Sequence, residues 1–326
     1  MNDEAFLVTG ASGCIGAWTV NLLQAEGVRT VALDVSDDRR RLGLLTDDAD
    51  PPGVSFARGD ITELGAVEAI IRAEGVTHVV HLAALQVPFC RADPVLGAQV
   101  NVVGTVNILE AVRRSEGRVR GLSYASSVAV FGPPEQYPDA TATDDAPPHP
   151  ATLYGVYKQA NEATAGIYAA DYGVGSVGLR PCIVYGPGRD QGLTSDPSKA
   201  MLAAAAGLPA HIGFGGRSTF QYAPDVARVF VEAARAAPEG ALVLNVGGPS
   251  ATVAEVVSAI EKVAPTAAGA ITIDEQQLPF PDRYDDSGLD TLLGGVPYRS
   301  MEAGVEETVH RFRDLLGRGL LSPPGG

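Results

Sequence analysis

Thr9-Gly10-Ala11-Ser12-Gly13-Cys14-Ile15-Gly16 stands between an apolar run at 6–9 and a stretch at 15–25 whose apolar residues recur at helical spacing. A loop that joins a strand to a helix and carries Gly10, Gly13 and Gly16 is open to close approach, because each glycine removes a side chain that would block a ligand or keep helix from strand. The free N–H groups and positive end of the helix favour an anion, so a dinucleotide pyrophosphate is expected against Gly10, Ser12, Gly13, Cys14, Ile15 and Gly16. An acid follows where such a ligand requires one. Asp34 closes the second β-rich run about twenty residues on, where a carboxylate accepts hydrogen bonds from the adenosine ribose hydroxyls and repels a 2′-phosphate. This predicts NAD rather than NADP. Arg39-Arg40-Arg41 is the counter-signal, since an Arg can pair with that phosphate. Asp37, Asp38, Asp47, Asp48 and Asp50 flank the run, and it reads as a solvated loop. Asp60, in Gly59-Asp60-Ile61 after the third run, is placed with Ile61 to meet the adenine; a cap ahead of Thr62 is its alternative.

Outward from this loop, short β-rich runs at 6–9, 28–33, 54–57, 77–82, 121–125 and 176–179 alternate with helical stretches at 15–25, 64–73, 94–114 and 153–172. That alternation predicts an α/β fold: a doubly wound parallel sheet, Rossmann-like, with a smaller C-terminal substrate lobe. The expected division is 1–180 for the NAD-binding domain with the catalytic residues and 181–326 for a mainly substrate-binding lobe, with about 217–250 returning to the sheet domain. Within the second part, an irregular segment is expected from 186 to 216, a helix at 224–236, a strand at 241–246, helices from 253 and from 302, and a flexible end at 323–326. The Pro-rich stretch 133–150 reads as a long loop, either beside a site or a plain surface excursion.

The whole chain narrows the class. Its 326 residues are 45% hydrophobic, enough for a large core domain with a lobe. A formal charge of −15 argues against nucleic acid, whose phosphates need clustered Lys and Arg. Three separated cysteines, Cys14, Cys90 and Cys182, suit a reducing compartment better than a disulfide framework. His78 and His81 fall three apart in a strand-like run and point to opposite faces, so no metal site is expected. The acidic start, Met1-Asn2-Asp3-Glu4, lacks a signal-peptide pattern and no apolar run reaches spanning length, so the expectation is a cytoplasmic protein without a membrane partner.

Tyr154-Gly155-Val156-Tyr157-Lys158 carries the chemistry. On a helix, Tyr154 and Lys158 share a face, and a cation beside a phenol favours the phenolate, which can take a proton from an alcohol. Tyr157 faces elsewhere, into packing. With the glycine loop, His81-Leu82-Ala83-Ala84, Asn101-Val102-Val103-Gly104-Thr105, Ser126-Ser127-Val128-Ala129-Val130-Phe131-Gly132 and Tyr185-Gly186-Pro187, the chain resembles the extended short-chain dehydrogenase/reductase family, or NAD-dependent epimerase/dehydratase family, over about 5–312. Met301-Glu302-Ala303-Gly304-Val305-Glu306-Glu307-Thr308 is similar to that family's closing helix.

The resemblance implies Ser127 as hydroxyl donor, Tyr154 as proton-transfer group and Lys158 as the cation that holds the ribose and lowers the phenol pKa. It adds Leu82, Ala83, Ala84, Asn101 and Pro181 to the cofactor contacts, with Asn101 either stiffening the active-site strand or a water chain, or simply bonded to a neighbouring carbonyl. Ser126 is a second candidate substrate contact, or a strand-end serine bonded to its own backbone. Members that remove water use an Asp-Glu pair where Val128-Ala129 stand here. Nucleotide-sugar binders usually have an Asn at Ile183, a Lys at Gln86 and Arg-Asp at Ser218-Thr219, with Arg217 one position early. These departures point to a small sugar or sugar acid, with Gln86, Ser126, Ile183, Ser195 and Arg217 as candidate contacts; Thr194, Lys199, His211 and Gln221 are other polar groups of the lobe. The expected activity is hydride transfer between a secondary alcohol and NAD. The alternatives are an epimerase of a sugar or nucleotide sugar working through a transient ketone, and a dinucleotide-binding regulatory protein, although such regulators generally lose part of the Ser-Tyr-Lys set. The helices from 94 and 153 are the pair by which relatives form dimers, which implies a homodimer.

Overall fold

The computed structural model of the chain describes residues 3–46 and 48–324; the expectations for Met1, Asn2, Asp47, Gly325 and Gly326 lie outside the described residues. The strands are Ala5–Thr9 (β1), Arg29–Asp34 (β2), Val54–Arg58 (β3), His78–His81 (β4), Gly121–Ala125 (β5), Thr141–Ala142 (β6), Ser176–Arg180 (β7), Ile183–Tyr185 (β8), Ala210–Ile212 (β9), Arg217–Tyr222 (β10), Ala241–Asn245 (β11), Ser250–Thr252 (β12), Ile271–Ile273 (β13) and Arg283–Tyr284 (β14). The α-helices are Cys14–Ala25 (α1), Arg40–Thr46 (α2), Leu64–Ala73 (α3), Val87–Ala92 (α4), Pro94–Ala98 (α5), Gly104–Arg113 (α6), Leu153–Tyr172 (α7), Asp196–Ala205 (α8), Ala223–Ala236 (α9), Val253–Val263 (α10), Ser287–Leu293 (α11) and Met301–Gly317 (α12).

Seven parallel strands form the main sheet in the order β11-β7-β5-β4-β1-β2-β3. β1 is buried along its length, as expected where helices cover both faces. Its side chains alternate between two cores: Phe6 and Val8 pack with Val20 and Leu23 of α1 and Phe230 of α9, and Leu7 packs with Val67 of α3 and Ile108 of α6. Because β2 and β4 lie on opposite sides of β1, the order reverses there, and the loop after β1 opens at the switch point where such sheets bind ligands.

After β7 the chain builds a second core around Ile183, Met201, Phe220, Ile260, Val305 and Phe312. Its sheet pairs β8 with β10 in parallel and β10 with β12 in antiparallel. Between β10 and β12 the chain crosses back: α9 packs on α1 and β5, and β11 pairs with β7 at the edge of the main sheet.

Several expectations are corrected. The segment 186–216 is not irregular throughout. It contains α8, which starts with Pro197 in its first turn and runs through alanines that form helix readily but carry little periodic contrast. The Arg39–Arg41 stretch is not a solvated loop: α2 begins at Arg40 and buries Leu42 and Leu44. The stretch 94–114 is not one α-helix, because a π-helical turn, Gln99–Val103, interrupts it around Asn101. Counted through that turn, Pro94–Arg113 is long and apolar enough by length and composition to cross a membrane, against the expectation of no such run; half of it is buried inside the protein.

Candidate active site

Gly10 adopts φ +67°, and a Cβ there would meet the backbone of Ala83 at 2.7 Å. That contact seats the glycine loop against the exit of β4, where the Leu82 and Ala83 N–H groups donate to Thr9 Oγ1, each at 3.2 Å. Gly13 caps α1 without a side-chain hydrogen bond, so the first-turn amides stay open to an anion. Asp34 accepts from Ser12 N at 2.9 Å and from Ser36 N at 3.1 Å, and lines a cleft with Ala11, Ser12, Arg39, Phe56 and Arg58. A bare backbone cradle, open amides and a ribose-height carboxylate fit NAD.

The arginine run works differently from its expected role. Arg39 stacks on Phe56 at 3.7 Å and pairs with Asp50 at 2.6 Å. Arg40 pairs with Asp190 at 3.2 Å. Arg41 is 12% exposed and donates to Ser12 O at 2.7 Å, Gly188 O at 3.0 Å and Asp190 at 2.6 Å, tying the glycine loop to the loop after β8. Each arginine thus has a carboxylate partner.

Asp60 is exposed and accepts from Thr62 N at 2.9 Å, the turn its alternative reading described, although Glu63 rather than Asp60 caps α3. Ile61 is buried. Asn101 is fully buried, and its amide accepts from Leu85 N at 2.7 Å and donates to Leu85 O at 2.9 Å. It therefore holds the backbone leaving β4 instead of bonding a carbonyl of its own helix. Pro181 is buried and its carbonyl accepts from Val128 N at 3.2 Å, fixing the turn after Ser127. His78 stacks on Phe6 at 4.8 Å. His81 sits between Thr9 Oγ1 at 2.7 Å and Thr105 Oγ1 at 3.1 Å, and burial, aided by Lys158, pulls its pKa down to about 3.

The proton-transfer groups meet where β5 ends beside α7. Thr152 caps α7 by accepting from Gly155 N at 3.1 Å. A Cβ on Gly155 would lie 2.1 Å from Ala129 O, so its absence lets the helix start close to the turn at 128–130. Lys158 Nζ donates to Ala125 O at 2.6 Å. Ser126 Oγ donates to the Glu162 carboxylate. The Ser127 hydroxyl is a hydrogen-bonding neighbour of the Tyr154 phenol and accepts from Ala129 N at 3.2 Å. Three successive residues, 125 to 127, thus engage 158, 162 and 154, which lie four apart on one face of α7.

Electrostatics correct the expected relation between Lys158 and Tyr154. Burial raises the phenol pKa; the Ser127 hydrogen bond and the Arg189 cation oppose the rise, and Cys90 adds to it. The Lys158 ammonium is 5.5 Å from the Tyr154 ring centroid, held at the Ala125 carbonyl instead of at the phenol oxygen. Burial brings Lys158 down to about 8, against Cys90 and Glu162, which favour its charged form. Tyr157 packs against Gly97 and donates to Pro94 O at 2.9 Å.

Most of the candidate substrate contacts are committed elsewhere. Ser126 is bonded to Glu162 and not to its own backbone or an open face. Ile183 is in the second core with Phe220. Ser195 is fully buried and donates to Gly192 O at 2.6 Å. Arg217 donates to Ser250 O at 3.1 Å and pairs with Glu255 at 3.4 Å. Gln221 satisfies Cys182 N and the carbonyls of Val246 and Gly247. Lys199 pairs with Asp196, and His211 with Asp274. Backbone groups at strand ends need partners, and Gln221 and Arg217 supply them. Gln86 is half-buried, with its amide oxygen beside Gly192.

Two groups emerge that the sequence reading did not single out. Arg189 donates to Thr194 Oγ1 at 2.8 Å, while its Nε is buried without a partner among the described residues. Its charge acts on both Cys14, in the glycine loop, and Tyr154. Glu162 forms a buried bidentate pair with Arg180, at 2.8 and 2.9 Å. Only the four-residue step from Lys158 to Glu162 was visible in the sequence.

A doubly wound sheet with an NAD cradle at its switch point and a Ser-Tyr-Lys set beside it defines an NAD-dependent enzyme of the extended short-chain dehydrogenase/reductase type. Residues 6–247 match the model of the NAD dependent epimerase/dehydratase family, and the chain belongs to that family. It is 32% identical to a UDP-glucose 4-epimerase of Mycolicibacterium smegmatis over 94% of this chain and 98% of the relative. It is 34% identical to UDP-glucuronate 4-epimerase 2 of Arabidopsis thaliana over 57% of this chain and 43% of that protein. Among solved structures, the Thermus thermophilus UDP-glucose 4-epimerase in complex with NAD is 29% identical and superposes with a TM-score of 0.78, covering 95% of this chain and 99% of that one. NAD is the cofactor, and the enzyme is an epimerase or dehydrogenase of this family.

Proposed function

We propose that the chain oxidises a secondary alcohol of a small sugar or sugar acid, with Ser127, Tyr154 and Lys158 as its catalytic residues. The observation that carries the reading is the Lys158 ammonium 5.5 Å from the Tyr154 ring centroid at the end of β5, where the Ser127 hydroxyl opposes the rise in the phenol pKa. Ser127 would hydrogen-bond the reacting oxygen and position it, and Tyr154 would take its proton. NAD, when bound, supplies the hydride acceptor. Gly10, Ser12, Gly13, Cys14, Ile15 and Gly16 would hold its pyrophosphate, Asp34 its adenosine ribose, Asp60 and Ile61 its adenine, and Lys158 its second ribose. Leu82, Ala83 and Ala84 would wall the cleft, with Asn101 and Pro181 setting the backbone around it.

Arg189 supports an acidic substrate, because a guanidinium whose buried Nε has no partner among the described residues, and whose charge acts on the phenol, is suited to a carboxylate. Gln86 is the remaining candidate contact near that loop. The second reading is epimerisation of a sugar or nucleotide sugar through a transient ketone, favoured by the near full-length similarity to a UDP-glucose 4-epimerase. The departures at Gln86, Ile183 and Ser218 weigh against a held diphosphate.

The test is NADH formation across sugars, sugar acids and UDP-sugars, with product stereochemistry read by NMR. Net NADH from a small sugar acid supports the first reading; inversion of a UDP-sugar without net NADH replaces it with the second. Tyr154→Phe is expected to lower turnover about 10²–10⁴-fold with NAD affinity retained. Full activity in that variant removes Tyr154 from the reaction.

The 181–326 part is read as mainly substrate-binding, and the enzyme as a cytoplasmic homodimer without nucleic-acid or membrane partners. Its three free cysteines suit a reducing compartment. The dimer reading is supported by exposed apolar side chains, Phe89, Val95 and Leu96 on α4 and α5 and Val156 and Ile167 on α7, on helices that pack against one another. A monomer mass at micromolar concentration would refute the dimer.

A further inference from the structure

Glu162 lies one helical turn beyond Lys158 on α7, with its side chain 9% exposed. Two groups hold its carboxylate: the Arg180 guanidinium, which donates to both oxygens at 2.8 and 2.9 Å, and the Ser126 hydroxyl. Arg180 is itself fixed. It donates to Asp144 O at 2.9 Å and to Asn245 Oδ1 at 3.4 Å, and lies 4.9 Å over the Phe131 ring. A buried ion pair is a poor source of net stability, because desolvation offsets its Coulomb energy. Its place next to the catalytic lysine calls for another explanation.

We propose that Glu162 is a positioning residue that, clamped by Arg180 and Ser126, keeps Lys158 in its cationic form and locks the strand end 125–127 onto one face of α7. The inference rests on the Ser127-Tyr154-Lys158 reading and extends it. The groups that face Lys158 are Cys90 from α4, His81 from β4, and Tyr154 and Glu162 from its own helix. Of these, His81 is neutral at ordinary pH and Cys90 is a thiol pushed upward by burial, so Glu162 is the standing negative charge. Burial has already brought Lys158 to about 8. Losing the Glu162 charge would carry it further down, into the working pH range, and Lys158 would release its proton and its hold on the ribose.

The chain has three lysines, Lys158, Lys199 and Lys262, which makes a direct titration practical. In full-length protein labelled with 13C/15N-lysine, the NMR titration midpoint of Lys158 is expected to fall by about one pH unit in Glu162→Gln, with Lys199 and Lys262 unmoved. NAD affinity in the variant should then begin to fall at a correspondingly lower pH than in the parent. A folded Glu162→Gln whose Lys158 midpoint equals the parent's overturns the proposal, even if its melting temperature drops. If that variant does not fold, Glu162→Met with Arg180→Met removes both charges together, a change that buried ion pairs often tolerate. Its midpoint should also fall, because Glu162 is the member that acts on Lys158, and an unchanged midpoint overturns the proposal there too. The titration does not depend on turnover, so it separates this inference from the assignment of Tyr154, which Tyr154→Phe tests.

Discussion

The loop after β1 and the lobe around β8 and β10 treat polar groups in opposite ways. In the first, backbone groups are left open: Gly13 caps α1 without a side chain, and Asp34 is only half-buried at the cleft. In the second, polar side chains are consumed by the fold, as with Ser195 on Gly192, Gln221 on Val246 and Gly247, and Arg217 on Ser250 and Glu255. A site for a shared cofactor needs little more than bare backbone at a helix start. A substrate lobe must also solve its own packing, so a polar residue type there says little about ligands.

The largest effect should come from closing the approach of α7. Gly155→Val places a branched side chain against Ala129 O and is expected to cut turnover about 10²-fold or more, since small misplacements of reacting groups are costly. Steady-state rates together with circular dichroism check that the loss is local. Next, Arg189→Ala should raise KM for carboxylate substrates about 10- to 100-fold, the value of a hydrogen bond to a charged group, with neutral sugars less affected. Equal KM changes for acids and neutral sugars would remove Arg189 from carboxylate recognition.

Asp34→Asn should narrow the preference for NAD over NADP by about tenfold, measured as the ratio of dissociation constants. A preference that stays unchanged would shift it from the carboxylate to another part of the cleft. Raising the pH should weaken NAD binding above about 8, because Lys158 is cationic below its pKa and neutral above it. Binding calorimetry across that range reads the effect. Arg217→Ala should be the smallest, within about twofold in kcat and KM, because a partly exposed ion pair contributes roughly 0–1 kcal/mol. A tenfold rise in KM would break the contrast between the two regions by making Arg217 a ligand after all.

The sequence showed the strands of the main sheet, the glycine loop and the Tyr154–Lys158 step because each is carried by neighbouring residues. It misread Arg41, which looked like one charge in a hydrophilic run; its partners Gly188 and Asp190 come from a loop about 150 residues away. It also misjudged Ile183, Ser195 and Ser126, whose types suit either a pocket or a packed interior. Asn101 was placed near the site, but its grip on Leu85 depended on a π-helical turn that apolar periodicity does not distinguish from an α-helix.

By itself, then, the sequence determined the alternation of strand and helix, the cradle for a dinucleotide and the spacing of phenol and ammonium. These follow from local backbone geometry and side-chain periodicity, which act over one turn or one strand. Only the tertiary structure decided that residues 125, 126 and 127 engage 158, 162 and 154, that Arg180 clamps Glu162, and that the charge of Arg189 acts on the phenol. Those contacts join segments set by how β5, β7 and α7 pack, and burial gives them their strength, so no reading of neighbours along the chain could supply them.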